Sequence, residues 1–297
     1  FMNCRQIFNP AFTGVTNSYC FTALYRQQWV AFPGAPKTGL FTFDAHSNLF
    51  GGSGYGLNIM NDQLGADKTW YAQFTGAKHF ENVGNGIFSA GLSLGILQKQ
   101  INGTWVAPQT LQDPSIPSNS GGTGAPAFNK MVPDISLGIS YFIQDKMFVG
   151  ASVSHLSAQN LSGATGGTAP NNFDLNFKMA RHFFLTGGYT FILNSPQHKL
   201  VPSIKIKSDA ATTQLDLNLT YSFQNMFWAG ISYRVKDAIA PSIGMRNGNL
   251  KIGYSYDITT SSIRKYSAGS HEIFLNFCFT PPKKITRSDN DRYFLHE

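Results

Sequence analysis

Eight charged side chains, Asp44, Asp134, Asp174, Asp216, Asp257, Lys178, Lys251 and Arg234, stand at positions that an alternating chain turns to one side. Arg26 joins them near the start. A set containing both signs can pair across neighbouring strands, with an ion pathway as the sharper alternative. Catalysis asks for more: a nucleophile, a base and a group that orients the base. The sequence offers no G-x-S-x-G, no P-loop and no H-E-x-x-H. Its seven histidines are dispersed. His271-Glu272 is the most suggestive polar pair, but it opens a strand with no third partner, and it reads as a strand-end pair. The chain is therefore not expected to be an enzyme, and neither a metal site nor a cofactor is expected.

The elements that must hold these charges are strands. Leu215, Leu217, Leu219, Tyr221 and Phe223 oppose Gln214, Asp216, Asn218, Thr220 and Ser222, and the same period of two recurs over most of the chain. It is clear in Ile87–Ile96, Ile135–Ile143, Phe173–Met179, Leu250–Ile258 and Ile273–Phe279. A soluble sandwich also alternates, so the solvent must be read from the faces. Charged residues make up only 13% of the 297, aromatics reach 14%, and there are 29 glycines. Mean hydropathy is −0.15, and no run approaches the roughly 18 apolar residues of a membrane helix. The polar faces carry Gly, Ser, Thr and Asn with single charges. The apolar faces end in Tyr25, Trp70, Tyr141, Tyr189, Tyr221, Phe227 and Tyr256, as an aromatic girdle requires. These features predict an all-β, antiparallel transmembrane barrel of the outer-membrane kind, with lipid outside and a polar lumen that holds Arg26, Asp44, Asp216, Arg234 and Asp257.

Short turns punctuate the strands at 144–146, 224–226, 236–238 and 247–249, the last with the Asn-Gly hairpin signal. About fifteen candidate strands result, whereas single-chain bacterial barrels have even numbers, so the expectation is 14 strands with 16 as the alternative. The poorly punctuated stretch 172–193 and a strand hidden in the loop of about 98–132 are the two places where the count can fail. Residues 1–17 are expected as an N-terminal periplasmic segment, 18–280 as the barrel with its long loop, and 281–297 as a C-terminal tail. Export implies that residue 1 follows a cleaved signal peptide.

Three cysteines, Cys4, Cys20 and Cys278, form no CxxC and no metal spacing. Alternation turns Cys20 and Cys278 inward, near the start of the first strand and the end of the last. In a closed barrel with periplasmic termini they share one rim, either as a disulfide, which an oxidising compartment permits, or as two free, packed thiols. The net charge of +7 is scattered rather than gathered into a basic stripe, so no nucleic-acid partner is expected. The first loop, in Tyr25-Arg-Gln-Gln-Trp-Val-Ala-Phe-Pro-Gly-Ala-Pro-Lys37, sets Pro33 and Pro36 about Gly34 and is expected to be stiff. Trp29, Phe32, Pro33, Gly34 and Pro36 are its candidate partner-binding residues, although the loop could instead fold over the pore.

Asn9-Pro-Ala-Phe-Thr-Gly14, Leu24–Thr38, Tyr55–Gly65, Arg181–Tyr189 and Gly269–Phe279, in that order, resemble the PorP/SprF family of type IX secretion system outer-membrane proteins. The resemblance implies a noncatalytic barrel in the outer membrane of a Gram-negative, Bacteroidetes-type bacterium, in contact with lipid and lipopolysaccharide. It implies a partner too: a large secreted adhesin of the gliding type, held at the surface and assisted in export through its C-terminal signal domain. Other family members act as core components that dock the periplasmic lipoprotein ring. A passive diffusion channel or hydrophobic-solute transporter is the reading from another class.

Overall fold

The structure is a computed structural model. It describes residues 4–16, 18–47, 52–101, 128–164 and 174–280. In chain order the strands are β1 (Tyr19–Gln27), β2 (Lys37–Ser47), β3 (Ser53–Leu64), β4 (Asp67–Val83), β5 (Gly86–Ile101), β6 (Phe128–Ile143) and β7 (Met147–Ser154). Then come β8 (Asn160–Ala164), β9 (Asp174–Lys178), β10 (His182–Tyr189) and its short continuation β11 (Phe191–Ile192). The chain finishes with β12 (His198–Ser208), β13 (Thr213–Phe223), β14 (Phe227–Arg234), β15 (Ala238–Asn247), β16 (Leu250–Thr259) and β17 (Ser270–Phe279).

Each wall strand pairs antiparallel with the next, β7 pairs with β10, β10 with β12, and β1 with β17. With β10 and β11 counted as one strand, the wall is a closed barrel of 14 strands. Closure leaves no unpaired edge, which hydrocarbon surroundings demand. The burial pattern is inside-out. Phe74 is 59% and Ile243 63% exposed, whereas Asn58 and Thr75 are at 1% and 0%. Apolar side chains on the outer face and polar ones on the inner face match a barrel in lipid.

The fifteenth candidate strand has an explanation. The alternating stretch around Phe173–Met179 contributes β9, which pairs with β8 in a separate two-stranded hairpin rather than in the wall. Asp174 and Lys178, expected on a lumen face of the wall, belong to that hairpin instead. The loop expected over about 98–132 is shorter, because β5 runs to Ile101 and β6 begins at Phe128. The tail 281–297 lies outside the described residues.

Loops of 28–36, 155–181 and 260–269 leave one rim, together with the connection of β5 to β6. The other rim carries the chain ends and mostly short turns. Short turns are periplasmic in such barrels and longer loops extracellular, which puts both ends of the barrel domain on the periplasmic side.

Candidate functional site: the filled lumen and the first loop

Residues 4–16 do not hang below the barrel as a periplasmic segment. They pack inside it, in two short 3-10 turns, Arg5–Ile7 and Pro10–Phe12. Pro10 suits the first position of its turn, where an N–H has no partner to lose, and the Asn9 side chain accepts from the Ala11 N–H at 2.9 Å. The same Asn9 donates through Nδ2 to the wall carbonyls of Ile139 (3.0 Å) and Ala151 (3.3 Å). Ser89 Oγ donates to the Ala11 carbonyl at 2.8 Å and Ser152 Oγ to that of Phe8 at 2.6 Å. Gln6 Nε2 donates to Asn58 Oδ1 at 2.9 Å, and His79 Nε2 lies 3.1 Å from the Thr13 carbonyl.

So close an approach needs a wall without side chains. Gly91, Gly138 and Gly150 supply it on β5, β6 and β7. A Cβ on Gly150 would stand 2.7 Å from Asn9 Nδ2, and one on Gly138 would overlap Asn9 Oδ1. Inner-face glycines in strands often mark where another backbone comes near, and here they were the available sign of the plug. Asp44, expected in the lumen, lies beside it and accepts from the Gly14 N–H at 3.3 Å.

Toward the extracellular rim the β8–β9 hairpin covers the same side of the lumen. Leu161 is fully buried against Tyr71, Leu97 and Phe128, with Phe177 and Met179 packed around them. Asp134, buried on the inner face of β6, accepts from Gln73 Nε2 at 2.9 Å and pairs with His155 Nδ1 at 3.1 Å.

The opposite wall is dressed with charge. Arg26 reaches Asp257 at 2.5 Å and Glu272 at 3.2 Å. Arg234 reaches Asp257 at 3.4 Å, Asp237 at 3.0 Å and Asp216 at 3.7 Å, and Lys205 reaches Asp216 at 2.9 Å. Asp257 and Asp216 are only 4% and 6% exposed, so their charges are buried among these partners. Asp44 apart, the sequence-marked lumen residues Arg26, Asp216, Arg234 and Asp257 thus meet in one network. His271 belongs to a different contact, 2.6 Å from the Tyr254 hydroxyl. Lys251, also marked, stands farther toward the periplasm over the rings of Trp228 and Phe274.

The seam between β1 and β17 sets Cys20 directly opposite Cys278. The two are disulfide-bonded, closing a separation of 258 residues. In the chain-entropy account a loop that long is worth on the order of 5 kcal/mol. Outside the seam Phe21 packs on Phe43 at a centroid distance of 4.9 Å, and Tyr19 on Phe279 at 5.5 Å. Cys4 is free and buried; burial pushes its thiol up to about 11.

At the other end of β1 the first loop is tied on both flanks. Val30 donates its N–H to the Gly269 carbonyl at 2.8 Å, and Ala268 returns a bond to the Val30 carbonyl at 2.8 Å. Gly65 N–H donates to the Gly34 carbonyl at 2.9 Å, and Gln28 N–H closes the base on the Pro36 carbonyl at 2.9 Å. Trp29 and Ala31 hold φ of 50° and 73°, a left-handed backbone that costs these residues about 1–2 kcal/mol each. The ties enforce it. Trp29 and Pro36 are half-buried, while Phe32, Pro33 and Gly34 are exposed at the tip.

A closed outer-membrane-type barrel whose lumen is narrowed by its own N-terminal segment, a hairpin and ion pairs is what the geometry gives. The sequence profile of the type IX secretion system membrane protein PorP/SprF matches residues 1–277. The chain belongs to this family. Curated proteins gave no match. Among solved structures, the CymD monoaromatic hydrocarbon channel is 13% identical, covering 93% of this chain and 91% of its own, with a TM-score of 0.53. A Pseudomonas aeruginosa FadL homologue is 11% identical, covering 89% of each chain, with a TM-score of 0.51. At such identities the likeness concerns the fold alone. The PorP/SprF family barrel described here shares that architecture, and its lumen is lined by ion pairs and its own N-terminal segment.

Proposed function

We propose that this PorP/SprF barrel is an accessory component of type IX secretion that binds and anchors a gliding-type surface adhesin, and assists its export, through the adhesin's C-terminal signal domain. The observation that carries this reading is the first loop: a rigid tip presenting Phe32, Pro33 and Gly34 on the extracellular rim, above a narrowed lumen. An exposed aromatic, Phe32, on a preorganised loop suits protein recognition, where aromatic residues are enriched at interface cores and rigidity lowers the cost of ordering. A lumen narrowed by the plug and lined with ion pairs speaks against a channel for monoaromatic hydrocarbons, the function named for the CymD neighbour. The competing reading is a core component docking the periplasmic lipoprotein ring.

Deletion separates these readings. Loss of a single adhesin from the surface, with other cargo exported, supports the accessory role; loss of all cargo supports the core role. Replacing Trp29 and Phe32 with Ala tests the loop. The variant barrel is expected to melt as the parent does, yet to lose the adhesin in a pull-down read by mass spectrometry. Undiminished retention would remove the loop from the reading.

A further inference from the structure

Between the N-terminal plug and the wall β12–β17 the lumen is not filled throughout. A chamber of about 880 Å³ remains there. Gln144, Asp145, Lys146, Thr190 and Asn225, from three turns of the terminus-bearing rim, line its mouth. A narrower continuation of about 300 Å³ runs past Cys4 and the Cys20–Cys278 bridge.

Among the described residues, cations outnumber carboxylates around this space. Arg5, Lys146, Lys199, Arg246 and Lys251 line the chamber against Asp145 and Glu272. Both carboxylates are engaged, Glu272 with Arg26 at 3.2 Å and Asp145 with Lys199 at 3.9 Å. Asp44, in the narrower part, accepts from Gly14 N–H. Arg246 and Lys251 are directly opposite one another on β15 and β16, and a like-charge pair in that register is destabilising. Arg5 comes from the plug to join them, its guanidinium 4.0 Å from the centre of the Phe148 ring. Neither Arg5 nor Arg246 has an ion-pair partner among the described residues.

Arg5 and Arg246, held beside Lys251 at the cost of like-charge repulsion, are stabilised by an anion that enters among them. The chamber's volume falls in the range of ligand sites, roughly 300–1,000 Å³, and exceeds what a simple ion needs. Phe148, Trp228 and Phe274 add apolar wall beside the charges. The chamber opens to the periplasmic rim and not to the lipid face, which excludes a bilayer headgroup. We infer that it receives a short acidic segment of another polypeptide, entering from the periplasm, whose carboxylates meet Arg5, Arg246 and Lys251 while its backbone and stems lie along the aromatic wall. This concerns the rim opposite the first loop, and it stands or falls separately from the adhesin reading.

The test uses the full chain in detergent and a labelled Glu/Gly-repeat peptide, followed by fluorescence anisotropy. Saturable binding that weakens with added salt is expected, with no binding of a Lys/Gly-repeat peptide. Arg246→Gln, at an exposed strand end, is expected to weaken binding by about tenfold or more while the unliganded barrel melts no lower, because a like-charge contact is relieved. Arg5→Gln combined with it should abolish binding. Equal binding by the parent and the Arg246→Gln variant overturns the inference. So does displacement of the peptide by inorganic phosphate at matching concentration, which marks a simple-anion site only.

Discussion

The two halves of the barrel wall solve the same problem in opposite ways. Along β2–β7 the inner face meets protein, first the 4–16 plug and then the β8–β9 hairpin. Along β12–β17 it meets charge, and below the charge an open chamber. The first half uses glycine and small hydroxyls, because the Asn9 side chain must reach the Ile139 and Ala151 carbonyls and the plug's own carbonyls must accept from Ser89 and Ser152. In the second, Asp216 and Asp257 take their partners from the wall and its turns, as the cations Lys205, Arg26 and Arg234. A buried polar group is tolerated when a partner is present; the halves differ in whether that partner comes from another chain segment or from the wall itself.

The sharpest way to break this comparison is to fill the glycine groove. Gly138→Leu is expected to expel the Asn9 turn and open the lumen, seen as new conductance steps in a planar bilayer. The counterpart Gly230→Ala, across the lumen, puts its Cβ 3.0 Å from a Ser242 hydroxyl that can turn aside, and should leave conductance at the parent level. Equal conductance in the two variants would erase the distinction between the halves.

Next in size is the ion-pair network. Asp257→Asn leaves Arg26 and Arg234 without their shared carboxylate, and breaking a buried pair costs about 3–5 kcal/mol. Chemical unfolding of the detergent-folded barrel should register that loss, and adding Arg26→Gln should recover part of it. A loss as large from Ser89→Ala, which removes one hydrogen bond worth about 1 kcal/mol net, would show that the plugged half is just as dependent on single contacts.

The smallest effect is on Cys4, within the plug. Its thiol, ordinarily near 9, is raised to about 11, chiefly by burial. The folded state therefore favours the neutral thiol. That contribution is complete below pH 9 and is lost as pH rises toward 11. Alkylation of the native protein should be slow at pH 8 and accelerate steeply above pH 10, while the unfolded chain reacts readily at pH 8. Rapid native labelling at pH 8 would mean the plug leaves the lumen on its own.

The wall was legible because the period of two runs through Leu215–Phe223 and its counterparts, and because those faces end in aromatics. That same periodicity misled at Phe173–Met179, where a hairpin that packs its Leu161 and Phe177 on Phe128 alternates just as a wall strand does. The plug could not be read from pattern. Residues 4–16 have no period, and their partners are carbonyls, hydroxyls and amides scattered over several strands; glycines such as Gly54, Gly91, Gly138 and Gly150 record the approach. Alternation marked Asp257 and Arg26 as inward-facing, yet their meeting depends on barrel closure, which joins residues 231 apart. The basic chamber escaped for a related reason, since Arg5 comes from the plug while Arg246 and Lys251 flank one hairpin turn near the other end of the chain.

The seam of β1 and β17 has a mechanical consequence. The first loop sits at its extracellular end, tied to Gly269 and Ala268, and the Cys20–Cys278 bridge lies at its periplasmic end. A tug on the loop along the barrel axis pulls β1 lengthwise past its neighbours. Its ladders are then loaded in shear, so that many hydrogen bonds must yield together instead of unzipping singly. The covalent bridge at the far end keeps the two strands from sliding out of register, and the seam that closes the barrel is also its strongest line against traction.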